Sequence, residues 1–270
     1  MIASLTQITT LDGPELEPFR TLRRPMEHLQ QGIFVAEGEK VVRRLLESTL
    51  TVQRILLSAD WFEEYRPVIE AHRHPIHVSV GEKRLLESIV GHELHQSIMA
   101  VGTVPPPLRI DQLPASRPSS LYVMVDGITN AENMGVIVRN CVCFDVNALI
   151  VLPNSCDPYL RRSVRNSMGN IFRLPIVYAT DVPGTLDSLH TNGVTITAAH
   201  VHPDSRDIRA LNSVTKRCLV LGAEGHGISE EVLARSTEFA VVPMRPGADS
   251  LNVASASAVL LWELRRTAEP

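Results

Sequence analysis

Five polar side chains in the C-terminal half sit on loops that follow apolar runs, and their types suit charge stabilisation rather than covalent attack. Asn133 and Arg139 belong to residues 126–139 (DGITNAENMGVIVR), and Glu224 stands among Gly222, Gly225 and Gly227 in residues 219–229 (LVLGAEGHGIS). Ser250 and Asn252 open the last helical stretch, after residues 239–247 (FAVVPMRPG). A guanidinium, a carboxylate, two amides and a hydroxyl around a glycine-lined hollow include no histidine base and no carboxylate pair. Hydrolysis of the Ser–His–Asp type and glycoside hydrolysis are therefore disfavoured. The glycine spacing matches neither GxGxxG nor GxxxxGK[ST], and a glutamate between glycines repels phosphate, so a dinucleotide-dependent oxidoreductase fails on pattern. Arg139, four residues after Gly135, lies about one turn into a helix, from where it could reach back over a sheet edge with Asn133 holding it. Ser229, with Glu230 and Glu231 behind it, reads as a helix cap.

These loops need a scaffold, and the spacing of apolar residues supplies one. Residues 121–126, 148–152, 174–179, 194–200, 218–221 and 239–242 are short, nearly continuous apolar runs, separated by helical stretches at 134–144, 158–167, 184–190 and 229–235 and closed by a long helix that begins near Ser250. Continuous apolar strands alternating with helices predict an α/β fold with a mostly parallel sheet covered by helices on both faces. Ligands of such sheets bind beyond the carboxyl ends of the strands, where the three loops lie. Ahead of this, residues 1–104 alternate shorter strands (32–36, 52–58, 76–80, 97–104) with helices (39–49, 61–72, 81–90), which predicts a smaller α/β domain. Residues 105–120 carry Pro105, Pro106, Pro107, Pro114 and Pro118 and read as a linker, leaving 121–270 as the second domain.

The 270 residues are 44% hydrophobic and 21% charged with a formal net charge of −4, so any nucleic-acid partner must be held by a local patch. Two candidates exist, Arg20, Arg23 and Arg24, and Arg161, Arg162 and Arg165. The four cysteines (Cys141, Cys143, Cys156, Cys218) form no CxxC pair and read as reduced, buried thiols. His92 and His95 fall one residue short of an HExxH spacing, and His72, His74 and His77 follow no ligand pattern, so no metal is expected. The absence of a membrane-length apolar run and of a signal-like start predicts a cytoplasmic protein with no membrane partner.

The three loops together resemble the SpoU (TrmH-like) RNA ribose 2′-O-methyltransferases of the SPOUT superfamily. The motifs are NxGxxxR (Asn133, Gly135, Arg139), LGxEGxG (residues 221–227) and PM…SLNV (Pro243, Met244, Ser250, Leu251, Asn252, Val253), in order along the C-terminal part. The N-terminal part is similar, more loosely, to the family's substrate-binding domain of L30e-like fold, through residues 34–40 (FVAEGEK). The resemblance implies a trefoil-knotted methyltransferase domain and a homodimer with active sites at the interface. It also implies an S-adenosylmethionine site at Gly222, Val242, Met244 and Leu251, and a catalytic set of Asn133, Arg139, Glu224, Ser250 and Asn252. Methylation of a ribose 2′-hydroxyl of RNA follows as the expected function, on ribosomal RNA rather than transfer RNA. A transfer-RNA 2′-O-methyltransferase and a non-catalytic RNA-binding relative of the same fold are the alternatives. Two motifs depart from the pattern: Asn130-Ala131-Glu132 replaces the Asp-Pro that usually precedes the motif asparagine, and Ala223 and His226 replace an Asn and a basic residue. The family's proposal makes Arg139 the activator of the hydroxyl. Because a guanidinium stays protonated, Arg139 fits a phosphate clamp and alkoxide stabiliser better.

Overall fold

The apolar runs of the C-terminal half form a sheet in which every pair is parallel, so all strand carboxyl ends emerge at one edge. The computed structural model describes residues 1–90, 97–113, 119–245, 247 and 250–268; His92, His95 and part of the proline-rich stretch lie outside them. Among the described residues the elements run β1 (Ile2–Ile8), α1 (Glu17–Arg20), α2 (Pro25–Gln30), β2 (Ile33–Glu37), α3 (Glu39–Leu46), β3 (Val52–Leu57), α4 (Ala59–Ala71), β4 (Ile76–Gly81), α5 (Lys83–Val90) and β5 (Ile98–Thr103). They continue with β6 (Ser120–Asp126), α6 (Ala131–Cys143), β7 (Ala148–Val151), α7 (Arg161–Asn166), β8 (Ile176–Tyr178), α8 (Val182–Thr191), β9 (Thr195–Ala199), β10 (Arg206–Asp207), β11 (Lys216–Gly222), α9 (Glu230–Ala234), β12 (Glu238–Val241) and α10 (Val253–Ala268).

The chain divides into two units, residues 1–105 with 159–172, and residues 106–158 with 173–270. The second unit is built on the order β10-β12-β9-β11-β6-β7-β8. On one face Tyr122, Met124, Ile150, Ile196 and Val220 are buried with Leu186 and Leu189 of α8 and Val232 of α9. Val123, Val125, Leu149, Leu219 and Leu221 alternate with them and are equally buried, so the sheet is covered on both faces, as its unbroken hydrophobicity demands. α10 packs against β11 and α6. There Asn140 of α6 donates to the Ala254 carbonyl at 3.0 Å and to Ser257 Oγ at 2.8 Å, across the small side chains of α10.

The first unit holds a mixed sheet, β1-β4-β3-β5-β2, with β5 antiparallel to both neighbours. Residues 159–172, which the sequence pattern places with the second half, pack here instead. Phe34 of β2 meets the rings of Tyr159 and Phe172 at 5.3 and 5.4 Å, one at each end of that segment. Glu37, only 5% exposed, accepts from Arg161 Nη1 at 2.5 Å and Arg165 Nη1 at 3.3 Å. A carboxylate buried this far from water needs such partners. Glu37→Ala is therefore expected to destabilise the protein by about 2–3 kcal/mol in urea unfolding. That lies under the ~3–5 typical of a fully buried pair because Arg161 and Arg165 keep 21% and 56% of their side-chain exposure. An unchanged midpoint would remove the ion pair from the account of how this segment is held.

Candidate active site

In a parallel sheet the crevice forms where successive strands turn to opposite sides, and here that point is β6. β7 and β8 extend to one side of it and β11 lies on the other. A cavity of about 390 Å³ opens at this point, lined by Gly127, Asn130 and Asn133 after β6, by Glu224 and His226 after β11, and by Val253 of α10.

Three of the five sequence-predicted catalytic side chains meet at its rim. Asn133 Nδ2 donates to Glu224 Oε1 at 3.1 Å. Asn252 Nδ2 donates to the same oxygen at 2.6 Å and to Asn133 Oδ1 at 3.1 Å, which closes a triangle between three loops. The local folding explains each position. Asn130 caps α6 by accepting from the backbone N–H groups of Glu132 and Asn133, which sets Asn133 in the first turn. Asn252 caps α10 by accepting from Ala254 N at 2.9 Å and Ser255 N at 3.3 Å, leaving its Nδ2 hydrogens for the triangle. Asn130 thus takes over, as a helix cap, the place where the related motif has Asp-Pro. Glu224 stands on a loop pinched shut by paired backbone bonds between Ala223 and Gly227, at 3.0 and 2.9 Å.

Arg139 and Ser250 stand apart from the triangle. Both are exposed, and among the described residues neither side chain makes a hydrogen bond or ion pair. Asn133 is occupied by Glu224 and Asn252, so it does not hold Arg139 as the spacing had suggested. Six residues separate the two on α6, about 9 Å along the axis and about 120° around it. Val242 is half-buried, and Met244 and Leu251 expose 45% and 41% of their surface. The room that a side chain at Gly222 would need is filled by its own loop, with Gly227 C 2.5 Å from the missing Cβ. Gly222 thus lets that loop fold back on itself.

The arginines assigned to nucleic acid all fall in the first unit. Arg20, Arg23, Arg24 and Arg162 are exposed. Arg161 is committed to buried Glu37 and is not free for a phosphate, while Arg165 shares Glu37 but stays largely open. Both α2 and α7 pack on β2, and burial lowers the pKa of His28 against the opposing charge of Glu27, with a smaller lowering from Arg161. Burial pushes the Cys156 thiol up to about 11 and Cys218 to about 12, which denies them a thiolate. Cys143, expected to be buried, is exposed at the end of α6. Among the described residues no group of three His, Cys, Asp or Glu could hold a metal ion, and no helix is long and apolar enough to cross a membrane. One candidate wall escaped the sequence: β9 lies between β11 and β12, so residues 200–205 open at the same edge, with Val201 80% exposed. Only strand order reveals it.

Residues 120–262 match the SpoU rRNA methylase family. An uncharacterised tRNA/rRNA methyltransferase of Mycobacterium tuberculosis is 30% identical over 95% of this chain and 90% of its own. The 23S rRNA (guanosine(2553)-2′-O)-methyltransferase of Bacillus subtilis is 24% identical over 97% of this chain and 100% of its own. An rRNA methyltransferase from Sinorhizobium meliloti, solved with bound S-adenosylmethionine, shares the fold with a TM-score of 0.85 at 24% identity, over 97% of this chain and 98% of its own.

Proposed function

The chain belongs to the SpoU rRNA methylase family of S-adenosylmethionine-dependent RNA methyltransferases, and from that premise we propose that it methylates a ribose 2′-hydroxyl of ribosomal RNA, as a cytoplasmic homodimer. The observation that carries the reading is the Asn133–Glu224–Asn252 triangle, which joins the three motif loops beside the cavity. The Bacillus subtilis relative, similar along its whole length, supports ribosomal RNA and the 2′-position. Arg20, Arg23, Arg24, Arg162 and the open part of Arg165 give a chain of net charge −4 the local basic surface an RNA needs.

The residues present fit the cofactor. Met244 and Leu251 leave open apolar surface at the sheet edge, suited to cover a purine ring, and the loops bearing Gly222 and Val242 offer backbone groups for its polar edge. When bound, S-adenosylmethionine supplies an electrophilic methyl group on a sulfonium. The protein's part is to position a poor nucleophile and stabilise the charge it develops. Asn133 and Asn252 both donate to Glu224 Oε1, which fixes the carboxylate's plane and leaves Oε2 as an acceptor. Arg139, always cationic, clamps the phosphate and stabilises the incipient alkoxide, with Ser250 beside the ribose. Because Arg139 lies about 9 Å along α6 from Asn133 and takes no part in its own chain's triangle, it is assigned to the pocket of a second protomer. Val259 and Trp262 of α10, 42% and 63% exposed, with Phe144 packed on Trp262, give that protomer an apolar face to cover.

Mapping 2′-O-methyl positions in total RNA from cells with and without the gene tests the reading. Loss of one ribosomal position is expected. A lost transfer-RNA position would move the substrate, and an unchanged ribose-methylation map would overturn the activity.

A further inference from the structure

One buried carboxylate next to the pocket is not accounted for by that reaction. Asp126 ends β6 directly opposite Gly222 of β11 and is 1% exposed. Its Oδ2 accepts from the backbone N–H of Ser229 at 2.7 Å, where the Glu224 loop ends. Its Oδ1 accepts from Asn154 Nδ2 at 2.8 Å, and Asn154 Oδ1 in turn accepts from the backbone N–H of Gly127 at 3.0 Å, where the Asn133 loop begins. Gly127 has φ +74° and lies so close to the other loop that an added Cβ would come within 3.2 Å of Ala223 Cβ. The two loops that carry Asn133 and Glu224 therefore touch, and a single side-chain chain, Ser229–Asp126–Asn154–Gly127, ties both to the sheet.

We infer that Asp126 and Asn154 are positioning residues for the methyl transfer: they set the register between the two loops and so the Asn133–Glu224 bond. The inference rests on the proposed reaction at this pocket. Asp126 is buried and is not among the residues that line the cavity; it acts through backbone N–H groups, and its worth lies in holding an arrangement that must not move during the reaction. Neighbouring bonds brace the same loop, since Ser155 Oγ accepts from Ile128 N at 3.2 Å and Cys156 N donates to the Ile128 carbonyl at 2.8 Å.

The hydrogen-bond arithmetic gives a test that ordinary destabilisation cannot imitate. In Asp126→Asn the new amide can still accept from Ser229 N, but its NH2 then faces the NH2 of Asn154. Flipping Asn154 only moves the clash onto the Gly127 N–H. Adding Asn154→Asp restores every bond with charge conserved: residue 126 accepts from Ser229 and donates to residue 154, which accepts from Gly127. The Asp126→Asn protein is expected to lose kcat about tenfold or more, with both KM values within about threefold. The double variant should return kcat to within about threefold of the parent. Hydrogen–deuterium exchange at the peptides bearing Gly127 and Ser229 should rise in the single variant and fall again in the double. A single variant with unchanged kcat, or a double variant no better than the single, overturns the inference. Should the parent protein methylate no ribose, the proposed reaction falls, and the exchange pattern still decides whether the brace exists.

Discussion

Arg139→Ala should lose about 10²–10³-fold in the rate of RNA methylation, the usual consequence of removing one preorganised donor, while unfolding at the parent temperature. The second half of that expectation comes from the structure. Arg139 is exposed and has no partner among the described residues, so its truncation leaves no buried group unpaired and opens no cavity. Calorimetric titration should find S-adenosylmethionine affinity nearly intact, because the apolar cover assigned to the cofactor belongs to a different loop. Equal loss of cofactor binding and activity would point to misfolding and remove Arg139 from the reaction. Arg139→Lys separates charge from shape: a lysine keeps the charge and loses the bidentate fork, and should recover little if a phosphate is clamped.

The separation of Arg139 from its own chain's triangle makes a second measurement decisive. If each pocket takes its guanidinium from the other protomer, an Arg139→Ala chain paired with an Asn252→Asp chain contains one intact site. Random exchange of equal amounts then makes half of all dimers mixed, and total activity should recover to about a quarter of the parent. If the guanidinium served its own chain, no combination would hold an intact site and mixing would restore nothing.

Much of this geometry was legible in the sequence because local physics decides it. Residues 218–221 and 148–152 are too uniformly apolar to be anything but strands buried on both faces, and parallel strands carry their following loops to one edge. Asn252 announces itself as a cap because its side chain offers an acceptor just before a helical pattern. Other features depend on tertiary partners that no local pattern encodes. β1 carries no alternation, since most of its residues are exposed, and it exists by pairing with β4. Residues 159–172 read as part of the second half, yet Phe34 and Glu37, far away in sequence, draw them into the first unit. For the same reason an arginine triplet that looked like a phosphate-binding patch includes one, Arg161, that neutralises a buried carboxylate. Gly222 looked like room for a ligand, and only the closed loop shows that the room is occupied by Gly227.

Asn252→Asp should be almost as damaging as loss of Arg139, and it isolates the triangle from the fold. As a cap, aspartate replaces asparagine without loss, because either accepts from Ala254 N and Ser255 N and a negative charge suits a helix start. The cap is therefore kept, and the unfolding midpoint should match the parent's at low pH and fall below it only as the triangle loses its proton. Within the triangle the exchange is severe. The Nδ2 that donates to Glu224 Oε1 at 2.6 Å becomes a carboxylate oxygen, so two acids meet at hydrogen-bond distance with one donor removed. Two carboxylates this close cannot both ionise cheaply, so the pair holds one proton to a higher pH than either acid would alone. With that proton bound, one hydrogen bond is rebuilt; once it leaves, repulsion drives Glu224 from Asn133. Activity of Asn252→Asp should then fall about 10²–10³-fold below the parent at pH 8 and recover in part, relative to the parent, as the pH is lowered towards 6. Asn252→Ala, which removes cap and donor together, should lose about 1 kcal/mol of stability as well and show no such recovery. A rate for Asn252→Asp equal to the parent's at pH 8 would mean that the three loops meet at this pocket without their meeting mattering to the chemistry.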